Sequence, residues 1–177
     1  MRKLTHKIKL IKPSLEMKEN ATTFRALFLE QDEETIPGSC WLEKYEVFED
    51  WLHFIQSLSN GEQKNLIPGD TFFAVCIENH EVIGVVVVRH YLTEEFYLYG
   101  HISYSVAPYH RRKGYGTEIL RLALIKAHDL GVMEPVLTCD KTNHASQRVI
   151  LNNKLTLQKE VEEEDGNICL VYVKNAQ

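Results

Sequence analysis

Apolar and polar residues alternate over Lys7–Pro13 (KIKLIKP), the period-two pattern of a short strand that Pro13 ends. After Ser14, a residue suited to capping, the period lengthens to that of a helix over residues 15–32, with Phe24, Leu27 and Phe28 on one face. Residues 41–60 repeat the helical period. Trp41, Tyr45, Phe48, Trp51, Leu52 and Ile55 form a stripe that predicts a core-facing helix. A turn-rich segment at 61–70 leads to two apolar runs, 71–79 and 81–92, joined at Asn79-His80 as a hairpin. A further strand is predicted over 96–108 and closed by Pro108. A helix follows from about Tyr115 to Leu130, with Gly131 at its end. PVLTCD (135–140) reads as a buried strand and residues 142–153 as a short helix capped by Thr142 or Asn143. Residues 155–175 read as a closing hairpin with an acidic turn.

The order is strand, two helices, three antiparallel strands, helix, strand, helix, hairpin. It contains no internal repeat, low-complexity tract or linker, so one mixed α/β domain over residues 1–177 is the expectation. The strand before Pro108 and PVLTCD are separated by one helix, and this predicts that they run parallel.

Composition narrows the function classes. The chain has 177 residues, 44% of them hydrophobic and 25% charged, as in an ordinary globular protein. A formal charge of −5 argues against a general nucleic-acid coat. The strongest apolar run, Val82–Val88, is too short to span a bilayer, and the amino terminus shows no apolar leader, so a cytoplasmic location and no membrane partner are expected. Cys40, Cys76, Cys139 and Cys169 are scattered without a CxxC pair, which argues for buried thiols over a zinc cluster or disulfide framework. No metal is expected.

Against this acidic background, SYSVAPYHRRKGYGTEILRLAL (103–124) packs His110, Arg111, Arg112 and Lys113 where a strand hands over to a helix. The first N–H groups of a helix lack internal partners and carry the positive end of its dipole. Gly114 and Gly116 leave room above the N–H groups of Gly114, Tyr115, Gly116 and Thr117, and the arginines and lysine add charge. The segment is suited to a pyrophosphate. A P-loop would need GxxxxGK followed by Ser or Thr, which the chain lacks. A dinucleotide fold would need a small residue where Ile119 stands and a parallel strand order before the loop, although Asp140 could supply its acidic residue.

RRKGYG (Arg111–Gly116) resembles the R/Q-x-x-G-x-G/A signature of the GNAT acetyltransferase superfamily. The flanking ISYSVAP, the helix after it, LTCDKTNHASQRVI and EVIGVVVVRHYL are similar to that family's fourth strand, third helix, fifth strand with its following helix, and third strand. Within the superfamily the chain resembles a bacterial branch of predicted acetyltransferases. The resemblance implies a mixed, mostly antiparallel sheet flanked by helices (α/β of the α+β kind), with splayed fourth and fifth strands and acetyl-CoA in the gap. It places Tyr104, Ser105 and Val106 beside the pantetheine arm, Arg111, Arg112, Lys113, Gly114, Tyr115, Gly116 and Thr117 around the pyrophosphate, and Asn143 against the cofactor arm. Asn143 reads equally as a helix cap. Direct transfer to an amine needs a proton acceptor, for which His101 is the first candidate and His90 and Asp140 the next. It also needs a donor to the developing oxyanion, expected at the Val106 N–H. Many members carry a tyrosine acid on the helix after the fifth strand, but Ile150 occupies the matching position.

These features support an acetyl-CoA-dependent N-acetyltransferase acting on an amine-bearing small molecule or protein, with a homodimer as a possible assembly. A non-catalytic acyl-CoA-binding regulatory module is the alternative, and a Rossmann-type oxidoreductase stands third. The acceptor pocket is expected between the N-terminal helices and the closing hairpin. There Glu162, Glu163, Glu164 and Asp165 form either a solvated turn or an attractor for a cationic amine.

Overall fold

The computed structural model describes residues 7–174. Met1–His6, part of the segment read as carrying no leader, and Asn175–Gln177 lie outside the described residues.

The chain begins with β1 (Ile8–Ile11), α1 (Lys18–Leu29) and α2 (Phe48–Ser59). Strands β2 (Gly69–Cys76), β3 (Val82–Arg89) and β4 (Ile102–Val106) follow, then α3 (Tyr115–Asp129), β5 (Val136–Asp140), α4 (His144–Asn152), β6 (Leu155–Glu162) and β7 (Ile168–Lys174). The strands hydrogen-bond as two antiparallel groups, β1-β2-β3-β4 and β5-β7-β6. The closing hairpin thus inserts its second strand beside β5. No ladder joins β4 to β5, as a splayed fourth and fifth strand require.

Strands β1, β2 and β3 of the larger sheet divide their apolar residues between two cores. Phe72, Ala74, Val86, Val88 and Ile102 face α3 and α4, where Ile119, Leu120, Ala123, Leu137 and Ile150 pack. Phe73, Val75 and Val85 face α1 and α2, against Phe24, Phe28, Trp51 and Ile55. Full burial on both faces explains why β3 reads as a continuous valine run rather than an alternating one.

The second helix departs from its sequence pattern. Instead of one helix from Trp41, a single 3-10 turn at Leu42–Lys44 is followed by extended Tyr45, and α2 starts only at Phe48. Trp41 has a left-handed φ of 62° and is 42% exposed, so it is not a core residue of the stripe. Trp51 is fully buried, and its indole N–H donates to the carbonyls of Ser39 (2.9 Å) and Cys40 (3.2 Å). That pair fixes the loop before α2 onto the sheet. Likewise the strand predicted from residue 96 starts at Ile102. Residues Tyr97–Tyr99 form a 3-10 turn, and Gly100 leaves it at φ 66°. Among the described residues no helix is long and apolar enough to cross a membrane, and no group of three or more His, Cys, Asp or Glu is arranged around a metal position.

Candidate functional site: a groove where two strands part

His101 marks the point at which β4 and β5 separate. Its main-chain N–H donates to the Val136 carbonyl at 2.7 Å, and its ring Nδ1 accepts the Val136 N–H at 3.0 Å. Both main-chain groups of Val136 are therefore satisfied by one residue. Beyond that clasp the strands diverge.

Hydrogen bonding to β3 decides which groups of β4 face the gap. Arg89 N–H donates to His101 O (2.7 Å) at one end, and Ala107 N–H donates to Ile83 O (2.9 Å) at the other. In an antiparallel pair the bonded residues fall on every second position. Ser103 and Ser105 thus turn their main chain to β3, while the N–H and C=O groups of Tyr104 and Val106 point into the gap. The Ser105 hydroxyl also faces away, donating to Pro37 O at 2.7 Å. The strand order thus sets Tyr104 and Val106 on the groove and Ser105 behind it.

At the end of the groove the chain turns into α3. No side chain caps this helix, and its first internal bond runs from Glu118 N–H to Gly114 O (3.2 Å). The N–H groups of Tyr115, Gly116 and Thr117 are left without helical partners. Gly114 has a left-handed φ of 93°, which spares the turn the strain that a side chain would add. A Cβ on Gly116 would lie 3.2 Å from Val149 Cγ2, 3.6 Å from Val106 Cγ2 and 3.8 Å from Tyr104 Cε2. Gly116 therefore sits on the groove floor, between β4 and α4.

Two members of the basic cluster, His110 and Arg111, pair with carboxylates. His110 Nε2 pairs with Glu81 Oε1 at 2.7 Å, tying the loop to the β2–β3 turn. Arg111 bridges Glu33 through both terminal nitrogens (2.5 and 2.7 Å), donates from Nε to Val106 O at 3.1 Å, and lies over the Phe28 ring. The arginine holds the Glu33 carboxyl below its usual range. Arg112, at a left-handed φ of 60°, and Lys113 are exposed beside the open N–H groups. The Tyr115 side chain is buried, so only its main chain is presented.

The geometry around His101 bears on its expected role as a base. A general base needs a free lone pair on its neutral form. His101 Nδ1 already uses its lone pair on the Val136 N–H, which places the ring proton on Nε2. Burial, followed by the Arg89 charge, pulls this histidine below its ordinary pKa. In this geometry His101 clasps β4 to β5. The other two base candidates have carboxylate or turn contacts of their own. Asp140 accepts from the Thr142 N–H and hydroxyl (2.6 Å each), and His90 stands 3.7 Å from Asp70, on the β2 side of the sheet. Asn143 caps α4, its Oδ1 accepting the Ser146 N–H at 3.0 Å. Ile150 is buried in the core.

Two residues on the groove have chemistry that their sequence positions do not disclose. The Tyr104 hydroxyl crosses to α4 and lies 3.5 Å from Ser146 Oγ, and burial pushes its pKa up to about 12. The Cys139 thiol, also beside Ser146, is pushed up to about 11 by burial. Both stay protonated at neutral pH. Behind β4, Gly38 lies so close over the Ser103 carbonyl that no side chain fits there. The α1–α2 loop thereby forms the far wall.

Residues 18–156 match the family model described as the acetyltransferase (GNAT) domain. The chain belongs to the GNAT acetyltransferase family. Solved structures agree on the fold. The microcin C7 self-immunity acetyltransferase MccE, in complex with acetyl-CoA and AMP, superposes with a TM-score of 0.64 at 19% identity, over 94% of this chain and 91% of that one. RimL, the ribosomal L7/L12 alpha-N-protein acetyltransferase in complex with coenzyme A, gives 0.67 at 14% identity, over 98% and 96%. The ribosomal-protein-S5-alanine acetyltransferase of Vibrio fischeri gives 0.62 at 19%, over 94% and 91%. No curated protein matches the chain. GNAT membership removes the Rossmann-type reading, which the antiparallel ladders on both sides of the gap also contradict.

Proposed function

We propose that this GNAT protein transfers an acetyl group from acetyl-CoA to a primary amine by direct attack in a ternary complex. The observation that carries the reading is the groove itself. A strand edge that no neighbouring strand pairs, at Tyr104 and the Val106 N–H, leads to the uncapped start of α3. Main-chain groups in an enclosed cleft require partners, and the amides of a pantetheine arm supply them as a neighbouring strand would. The open N–H groups of Tyr115–Thr117, with Arg112 and Lys113, suit the pyrophosphate. Acetyl-CoA is the acetyl donor, and its thioester would lie against the Tyr104–Val106 edge. A main-chain N–H there stabilises the oxyanion.

Direct transfer follows from the thiols. A covalent acetyl-enzyme needs an activated nucleophile, and burial raises rather than lowers the pKa of Cys40, Cys139 and Cys169. The amine is therefore the nucleophile. Its proton leaves through water. The Tyr104 hydroxyl retains a proton that it can offer to the departing thiolate. The test is to titrate acetyl-CoA calorimetrically, then follow free thiol with a panel of primary amines while intact-mass measurements look for acetylated protein. Sequential kinetics without a protein-bound acetyl group support the proposal. A protein-bound acetyl that an amine discharges, or CoA binding with no thiol release from any amine, would reject it.

A further inference from the structure

Arg89, the last residue of β3, carries a charge that the fold leaves unmatched. Its side chain projects to the α1–α2 face, the face of Ser103 and Thr71. Nη1 donates to Gly100 O (3.0 Å), Ser103 Oγ (3.2 Å) and Tyr99 O (3.4 Å), all neutral acceptors. Among the described residues Arg89 forms no ion pair. Burial lowers its pKa, and the Tyr99 ring centroid lies 6.0 Å from its guanidinium carbon. Its hydrogen bonds all run through Nη1, leaving Nε and Nη2 without a hydrogen-bond partner among the described residues. The only buried, unpartnered side-chain nitrogen or oxygen among the described residues is His90 Nε2, so both Arg89 atoms reach solvent. A guanidinium held in place by one nitrogen and open along its other edge is a fork set for a planar anion. Largely buried charges are ordinarily paired, and here the chain provides no partner.

Its location says which anion. The α3 start, Gly116, Val149 and the Tyr104 side chain lie on one face of the groove, where the donor is held. The acceptor must reach the thioester from the opposite face, which is that of Ser103. Arg89 touches Ser103, the residue before Tyr104. On that face the α1–α2 loop at Gly38–Trp41 stands to one side and the exposed Tyr99 to the other.

We propose that Arg89 is an anion-recognition residue of the acceptor site and that the amine acetylated by this protein is a small molecule bearing a carboxylate, such as an amino acid. This rests on the acetyl-transfer reading and names its substrate class. The amine enters over Ser103 while its carboxylate takes the free Nε–Nη2 edge. A purely cationic amine would meet the guanidinium unfavourably, so the acidic turn at Glu162–Asp165 is not the specificity element.

The test uses amino acids and their carboxamides as matched pairs, titrated against the full chain saturated with CoA, with acetyl-CoA turnover measured in parallel. The acids should bind about tenfold or more tightly than the amides, the scale of one charge-assisted contact. Arg89→Met should erase that preference while leaving amide binding and CoA affinity unchanged, and Arg89→Lys should keep part of it. Since Nη1 also staples the β3–β4 turn, the wild-type pairs alone decide the matter if Arg89→Met unfolds. Equal binding of acid and amide by the wild type overturns the proposal, as does equal loss of both in Arg89→Met. Preferential binding of acids without thiol release would leave the anion site standing and remove the transfer reading. Efficient acetylation of neutral amines alone would do the reverse.

Discussion

Replacing His101 with phenylalanine keeps the ring and removes the acceptor. The Val136 N–H would then lose its partner at the point where β4 and β5 part. An unsatisfied main-chain donor costs about 1–3 kcal/mol, a large share of a typical stability of about 5–15 kcal/mol. His101→Asn places an amide oxygen where Nδ1 stood, so it should restore most of the loss. The histidine also titrates, and its folded pKa lies below the ordinary value near 6.5. Above about pH 6.5 the ring is neutral in both states and adds no pH dependence. Below it the unfolded chain takes up a proton that the folded chain refuses, so wild-type stability falls with acid until the lowered folded pKa is reached. The slope is at most about 1.4 kcal/mol per pH unit, an upper bound because part of the ring reaches solvent.

Urea unfolding of the three proteins from pH 5 to 8 measures both effects. His101→Phe should be less stable than wild type by about 1–3 kcal/mol at pH 7.5. The gap to either variant should narrow as the pH drops, because neither variant titrates at this position. The rate per folded molecule should stay within a few-fold of wild type, with its pH limb intact. A loss of about a hundredfold or more in kcat for His101→Asn, at unchanged stability and with the histidine limb gone, would refute the clasp and restore a base at this position.

Gly116→Val should abolish calorimetric CoA binding with only a modest shift in unfolding midpoint. The new side chain would fill the floor between Val106 and Val149 and cover helix N–H groups, and normal CoA affinity in a folded variant would disprove the cradle. Cys139→Ala should leave kcat within a few-fold, because the protonated thiol is a bystander to direct transfer; loss of activity with CoA affinity retained would count against that view. Glu33→Gln should cost no more than about 1 kcal/mol, as befits a partly exposed pair, while weakening CoA through the loosened Arg111 loop. The Glu33 pKa is lowered, so its stabilising effect is present above the ordinary carboxylate range and is lost as the pH falls through the folded value. Wild-type and Glu33→Gln acid-unfolding curves should therefore converge at low pH.

The parts of this molecule that could be read in advance are those that local rules determine. Helical periods and apolar runs located elements to within a few residues where burial follows the local pattern, as in β3 and α3. The glycine loop was legible because an uncapped helix start after a strand has few uses. What stayed illegible shares one cause, the dependence of a residue on partners distant in the chain. Trp41 continues the apolar stripe of α2, yet a left-handed backbone and the Trp51 indole bonds at Ser39 and Cys40 break the helix there. Arg111 looks like a phosphate ligand by position but is anchored by Glu33, 78 residues away. His101 invited a catalytic role because histidine titrates near neutrality, and only Val136, 35 residues on, shows that its lone pair is engaged. Arg89 drew no notice at the end of a valine run, since a charge there reads as a strand leaving the core. Its significance lies in the carboxylate that the fold does not supply, and a missing partner has no pattern in a sequence.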